Sequence, residues 1–285
     1  MVYEKMENFN IKPTPKVAVL HDIVAVGKSG MMNILPILSV FGLEACPIPT
    51  MLLSTHTAYK DPIISIPQGY ILGALEHYKN LNVKFDTILI GYMGRNRIVS
   101  EVIEFVRFFK EKYNTKVILD PIFADNGKIY GNIEKNYENN IKLLLKYTDL
   151  ILPNITEAQY LSGMKNVKDI GNKLTEYGCD VIITGSEIFD NEMEIYSVVN
   201  SNHKIHRYTR FNDNFHGTGD TFTGLITALV MNNIDVNDAI KYTHKIIYEI
   251  ILDTSKYKYD KKEGILLDKN IDKLFNLRKE VLQTI

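Results

Sequence analysis

Cysteine and long apolar runs are both scarce in this chain, and neither sign of charge dominates it. Cys46 and Cys179 are its two cysteines. They stand far apart and lack metal-ligand spacing, which argues against a disulfide framework or thiolate metal site and for buried packing in a reducing compartment. With 33 Lys and Arg against 34 Asp and Glu, the net charge of −1 provides no basic face of the kind that binds nucleic acid. No stretch approaches the about 18 apolar residues that a membrane helix requires. The first 15 residues are polar, with Glu4 and Glu7, and contain no apolar run resembling a secretory signal. Internal repeats, low-complexity segments and dividing linkers are also missing. The expectation is a soluble cytoplasmic protein with no nucleic-acid or membrane partner. It would form one domain over 1–285 with a polar lead-in over 1–15.

What is present is 285 residues, 45% of them hydrophobic, enough to bury a substantial core. Lys16 to Leu20 is a short apolar run of buried-strand type, with His21-Asp22 after it. The spacing then predicts a helix over 31–41, interrupted at Pro36 and ended by Gly42. A strand at 44–48 leads into a loop over 49–67, rich in Thr, Ser, His and Pro. Further strands are expected at 85–90, 116–119, 150–152 and 180–183, and helices at 68–80, 97–113 and 140–147, with another opening at Thr156. Two antiparallel strands, 194–199 and 204–210, precede helices from Gly217, over 238–252 and over 268–282. This alternation implies an α/β fold with a mostly parallel central sheet covered by helices on both faces.

In such sheets, ligands bind beyond the carboxyl ends of the strands. Polar residues gather at those ends: Asp22, then Tyr92, then Asp120 with Asp125, then Asn154 with Glu157, then Thr184. Each alone is as ordinary as a turn or helix cap. Five consecutive strands ending this way point to a shared cleft. Asp120, Asp125, Asn154 and Glu157 are hard oxygen donors, suited to a loosely held magnesium ion with nucleotide phosphates and unsuited to zinc.

The densest signal is Phe215-His216-Gly217-Thr218-Gly219-Asp220-Thr221-Phe222-Thr223-Gly224-Leu225, a turn entering a helix. Glycines at 217 and 219 permit close approach and dihedrals closed to other residues. The free N–H groups and positive dipole end of the helix form an anion site. Asp220 beside that site can take a proton from a hydroxyl while the N–H groups hold charge on a transferring group. Taken alone, the segment reads equally as a capped helix start. Two decoys are excluded. Gly27-Lys28-Ser29 is no Walker A loop, because the required upstream glycine is Asp22, and position 222 breaks a dinucleotide fingerprint.

With these residues in view, the chain resembles the ribokinase superfamily, and within it the pyridoxal/pyridoxamine kinase group. Gly217-Thr218-Gly219-Asp220-Thr221-Phe222 is similar to the superfamily signature, and Ser54-Thr55-His56-Thr57-Ala58-Tyr59 to the S-x-H-T-x-Y segment of vitamin B6 kinases. Gly91 to Gly94, Asp120 to Tyr130 and Asp149 to Ala158 match in family order. The resemblance implies a ribokinase-like three-layer sandwich and ATP-dependent phosphorylation of the 5′-hydroxyl of pyridoxal, pyridoxamine or pyridoxine. It also implies Mg²⁺, a potassium-like monovalent cation and a homodimer. By analogy Asp220 is the base, and N–H groups at Gly217, Thr218 and Gly219 form the anion hole. Asp120, Asn154 and Glu157 would support magnesium and the phosphates, with Asp120 and Glu157 on the metal. Asp125 and Tyr130 would flank the nucleotide, and Thr184 would approach it. Asp22, His56, Thr57 and Tyr92 would surround the pyridine ring, Tyr92 offering an aromatic face. Three positions depart from the pattern: Asp22 replaces a common serine, Ala124 a glycine and Leu152 a threonine.

Competing readings are a hydroxymethylpyrimidine kinase on the same fold, a sugar kinase of the wider superfamily, and a B6-binding protein without catalysis. The first carries a different glycine-rich segment after its first strand, which Asp22 to Gly30 does not resemble. This chain has little room for a sugar kinase's larger lid. A mere binder would not need Asp220 and the acidic set.

Overall fold

A computed structural model describes residues 14–210, 213 and 215–282; positions 1–13 of the expected lead-in lie outside them. The first half runs β1 (Lys16–Val26), α1 (Met31–Val40), β2 (Glu44–Thr55), β3 (Ile64–Ser65), α2 (Tyr70–Leu81), β4 (Thr87–Ile90), α3 (Asn96–Tyr113) and β5 (Lys116–Leu119). A small hairpin of β6 (Ala124–Asp125) and β7 (Lys128–Ile129) follows, then α4 (Tyr137–Leu145), β8 (Leu150–Ile151), α5 (Ile155–Ser162) and α6 (Val167–Thr175). The chain continues with β9 (Asp180–Ile188), β10 (Glu192–Val199), β11 (Asn202–Thr209), α7 (Thr218–Met231), α8 (Val236–Thr254) and α9 (Ile271–Leu282).

Among the described residues the main sheet has the order β11-β10-β9-β8-β5-β4-β1-β2-β3. From β2 across to β9 the neighbours are parallel, and β3, β10 and β11 add antiparallel edges. Alternate residues of the central strands feed two cores. Ala18, Leu20, Ile88, Ile90, Val117 and Leu119 pack on the α2–α6 side. Val17, Val19, Leu89 and Ile118 pack under α1, α7, α8 and α9. This is the expected three-layer arrangement, and it puts the carboxyl ends of β1, β4, β5, β8 and β9 on one edge.

Two expectations about the first strands change. β1 does not end before His21-Asp22; it continues to Val26. β2 extends to Thr55, through much of the expected loop. Pro47 and Pro49 occupy alternate positions opposite Val19 and His21. Prolines spaced in this way all turn their N–H-less side one way, here toward the flank where β3 pairs only with Leu52 and Leu53. Helix α1 also passes through Pro36 unbroken, with Ile34, Ile37 and Leu38 buried on both sides of it. The packing outweighs one missing backbone bond.

Candidate active site

The site begins with an irregularity in β1. Leu20 faces Ile48 and His21 faces Pro49, but Asp22 faces Met51, so Thr50 is an extra residue in β2. Its hydroxyl donates to the Tyr92 carbonyl at 2.7 Å, drawing in the turn after β4. Gly91 in that turn must lack a side chain, because a Cβ there would lie 1.9 Å from His21 Cδ2. The bulge and the glycine let the adjacent His21 and Asp22 meet, although regular strand alternation would send them to opposite faces.

His21 is buried between two carboxylates. Its Nδ1 lies 2.6 Å from Asp22 Oδ1. Its Nε2 lies 3.2 Å from Asp220 Oδ1, an ion-pair distance without the alignment of a linear hydrogen bond. The Asp22 backbone N–H also approaches Nδ1, at 2.8 Å, and a carboxylate oxygen at 2.6 Å from the same nitrogen requires a proton between oxygen and ring. Burial alone would lower the His21 pKa, but the bonds to Asp22 and Asp220 and their charges overcome it and push it up to about 10.

Asp220 sits in the first turn of α7. Oδ2 accepts from the Gly30 N–H at 2.8 Å, at the start of α1. Burial favours its neutral form; His21 and the Gly30 N–H prevail and hold its carboxyl below the usual range. Gly217 caps α7 with φ of 75°, the left-handed region expected of it. Gly219 differs from expectation, for it has no positive φ, and a Cβ there would meet nothing within 4 Å. Its contribution is open space over the helix's first-turn N–H groups, where an anion would approach.

Asp120 is buried, accepts from Thr223 Oγ1 at 2.5 Å, and reaches the same site from the end of β5. Ile122, two residues on, has φ of 36°, a rare conformation for a β-branched residue and a sign of local strain beside the site. Glu157 is buried too. Its carboxylate accepts from the N–H groups of Phe123 (2.8 Å), Ala124 (3.3 Å) and Asn154 (3.1 Å). Burial pushes both acids up, helped at Asp120 by the charge of Asp220 and at Glu157 by the charge of Asp120. Asn154 caps α5 through the Glu157 N–H and donates to the Ala124 carbonyl at 2.7 Å, so together they pin the β6–β7 hairpin. Asp125 lies exposed on that hairpin, bonded to Asn126, and the Tyr130 hydroxyl after it is pushed up by burial and by the charges of Glu157, Asp125, Asp120 and Asp220. Thr184 forms an isolated bridge to Asn154. Among the described residues no three His, Cys, Asp or Glu side chains form a metal cluster.

On the side nearest β2, His56 stacks on His216 with ring centroids 4.2 Å apart. Its Nε2 donates to the Lys262 carbonyl at 2.6 Å, which leaves Nδ1 to accept from Ala58 N–H at 3.3 Å. Thr57 is exposed beside it. Tyr92 is 7% exposed and its hydroxyl accepts from Asn132 at 2.7 Å. The expected residues therefore gather around one edge of the sheet.

Three participants were not singled out from sequence. His21 had a visible cue, adjacency to Asp22 at a strand end. Thr223 lies one helical turn beyond Asp220 and so on its face. Asn33 is a fully buried polar residue in an apolar helix, donating to Lys28 O (3.2 Å), Gly217 O (3.0 Å) and Thr221 Oγ1 (3.3 Å). It ties the turn after β1 to the turn before α7.

This geometry agrees with the similarity of the chain to known proteins. A sequence model of the phosphomethylpyrimidine kinase family matches residues 26–265. The chain belongs to that family. The pyridoxal kinase of Dictyostelium discoideum is 26% identical over 269 residues, 86% of this chain and 88% of that one. A protein of Bacteroides thetaiotaomicron, provisionally assigned as a phosphomethylpyrimidine kinase and solved with pyridoxal, superposes with a TM-score of 0.86. It is 30% identical, over 92% of this chain and 96% of that one. A pyridoxal kinase of Leishmania donovani, in complex with ADP and pyridoxine, shares the fold at a TM-score of 0.82, with 18% identity over 91% of this chain and 95% of that one. The expected ribokinase-like fold is thus the one found. His21 and Asp22 lie upstream of the span that the phosphomethylpyrimidine kinase family model matches.

Proposed function

We propose that this protein transfers the terminal phosphate of ATP to the 5′-hydroxyl of pyridoxal, pyridoxamine or pyridoxine. The chemistry rests on Asp220, an ionised carboxylate held at the head of α7 beside open N–H groups. The substrate class rests on the relative solved with pyridoxal, which is similar over nearly the whole chain. The substrate oxygen attacks the γ-phosphorus, ADP leaves, and the hydroxyl proton passes to Asp220. N–H groups from Gly217 to Gly219 hold the oxygens of the transferring group, and catalysis is chiefly positioning and charge compensation.

Magnesium enters this proposal with the nucleotide. Glu157 already accepts three backbone N–H bonds and Asp120 binds Thr223, so these acids fit a hydrated ion bound mainly to phosphates. Asp120 and Glu157 would hold its water shell, and the ion would neutralise phosphate charge. Asn154, Asp125, Tyr130 and Thr184 would line the nucleotide side. Asp22, His56, Thr57 and Tyr92 would line the vitamer side. The proposal extends by resemblance to a potassium-like cation, a homodimer and a cytoplasmic location.

The matched family's description, phosphomethylpyrimidine kinase, together with a relative from Haemophilus influenzae named hydroxymethylpyrimidine/phosphomethylpyrimidine kinase, favours one second reading, a hydroxymethylpyrimidine substrate. A coupled ADP-release assay against pyridoxal, pyridoxamine, pyridoxine and hydroxymethylpyrimidine separates the two. Turnover of the vitamers is expected; turnover of the pyrimidine alone would replace the reading, and no turnover of any would leave a binding protein.

Asp22 makes a narrower prediction. Oδ1 is taken by His21, and Oδ2 has no protein partner among the described residues. It is therefore available to the 4′-amine of pyridoxamine or a protonated ring nitrogen. Asp22→Ser is expected to lower kcat/KM for pyridoxamine relative to pyridoxal by about tenfold or more, since a charge-assisted hydrogen bond is worth about 1.5–3 kcal/mol. An unchanged ranking of the three vitamers would remove this role.

A further inference from the structure

His21 has no part in the mechanism just described, yet it is the most tightly enclosed ionisable group at the site. Gly91 leaves no space on one side of the ring, Asp22 binds Nδ1, and Asp220 faces Nε2. We propose that His21, as an imidazolium, is a positioning residue that bridges Asp22 and Asp220 and keeps Asp220 ionised against the negative charge around it. This inference rests on the reading of Asp220 as the base.

The need for such a charge follows from the surroundings. Asp220 side-chain exposure is only 12%, and Asp120 approaches it from the end of β5. An arriving nucleotide brings several more negative charges. All of these, and burial itself, drive a carboxylate toward its neutral form, in which it cannot accept a proton. The groups that oppose this are few. On β1 there is His21; from the start of α1 there is only the neutral N–H of Gly30; on the loop before α7 there is His216, whose own pKa is lowered by burial and by His56. His21 is thus the one cation in direct contact with Asp220 among the described residues. Asp22 serves in turn to hold the proton on His21, and the two contacts push the imidazole well above its ordinary range. The bulge at Thr50 falls at this same point, between His21 and Asp22 in the pairing of β1 with β2.

The sign of the consequence is definite. With His21 charged, the Asp220 pKa is low, so the acid limb of kcat/KM lies below the ordinary carboxylate range. Removing the charge leaves burial and Asp120 in control, and the limb moves to higher pH. His21→Gln keeps a donor toward one of the two acids and removes the charge and the second contact. Its kcat/KM for pyridoxal, from about pH 5 to about pH 9, is expected to lose at least about tenfold more activity at the acid end than at the alkaline end, which corresponds to a limb raised to about pH 6. A residue that merely fills space would lower the whole profile in parallel, and parallel profiles would overturn the proposal. Asp22→Asn, which leaves His21 in place with a weaker hold on its proton, is expected to shift the limb in the same direction by less; an unmoved limb there would also count against it.

A second readout does not depend on turnover. Nitrogen-15 NMR of histidine-labelled wild-type protein, with the His21 signals assigned by their loss in His21→Gln, is expected to show both ring nitrogens protonated at about pH 7.5, above the ordinary His range. A neutral ring would overturn the proposal even in an active enzyme. A wild-type protein inert toward every vitamer would instead overturn the function, while the NMR result still decided whether the bridge exists.

Discussion

Asp220→Asn is expected to lower turnover by about 10²–10⁴-fold, the range associated with a positioned proton acceptor, while ATP affinity stays within a few-fold of wild type. The structure explains why the isosteric change is so costly. Asp220 accepts from the Gly30 N–H on Oδ2 and holds Oδ1 at ion-pair distance from His21 Nε2. An asparagine offers one acceptor and one donor. Whichever way its amide turns, an NH₂ group faces either the Gly30 N–H or the imidazolium, donor against donor. The variant therefore loses basicity and also the contact that fixes the side chain. Steady-state turnover with pyridoxal, together with calorimetric titration of ATP, checks both halves. Turnover near wild type would remove Asp220 from its assigned role, and a parallel collapse of ATP binding would show that the head of α7 had been rebuilt rather than disarmed.

The layered fold was legible because buried parallel strands are short apolar runs. Val17 to Leu20, Ile88 to Ile90 and Val117 to Leu119 are nearly continuous Val, Ile and Leu, and each has a polar residue within two positions of its end, at the edge where ligands bind. The later parts of β1 and β2 were less legible. β2 carries Pro47 and Pro49, and beyond His21 the pairing of the two strands depends on a register shift that no local pattern announces. Helix α6 was hidden for another reason. Its central Gly171 weakens the helical signal but is needed there, since a Cβ would lie 2.8 Å from Val198 Cγ2.

The candidate site divides in the same way. Asp220 and the two glycines are contiguous, and Asn154 with Glu157 is a capping box readable from spacing. The bridge through His21 joins residues at opposite ends of the chain, and only folding brings them together. Asn33 is similar, a polar residue whose partners lie on two separate turns. Glu157 shows the reverse case. It was conspicuous as an acid at a strand end, and its position shows a carboxylate spent on shaping the β6–β7 hairpin beside the phosphate side of the cleft.

Gly217→Ala is expected to damage both folding and catalysis, and the pairing with Gly219→Ala separates the causes. At Gly217 φ is 75°, which costs an alanine about 1–2 kcal/mol by itself. The added Cβ would also lie 1.8 Å from the Lys28 carbonyl oxygen and 2.2 Å from Asn33 Nδ2. No rotamer change relieves the first contact, because it is with backbone. The turn after β1 must move, and that turn carries the Gly30 N–H that holds Asp220. The expected loss is about 3 kcal/mol of stability, in the range of strained backbone positions, with turnover down by about 10²-fold from misplacing the base. At Gly219 the backbone is ordinary and a methyl group would stand in open space on the ligand side. Its alanine variant is expected to keep the wild-type melting temperature and still lose activity, through crowding of the transferring phosphate. Thermal melts and turnover of the two variants side by side make the check. Full activity in Gly219→Ala would mean that the phosphate does not pass over the head of α7, and the anion-hole assignment would fail with it.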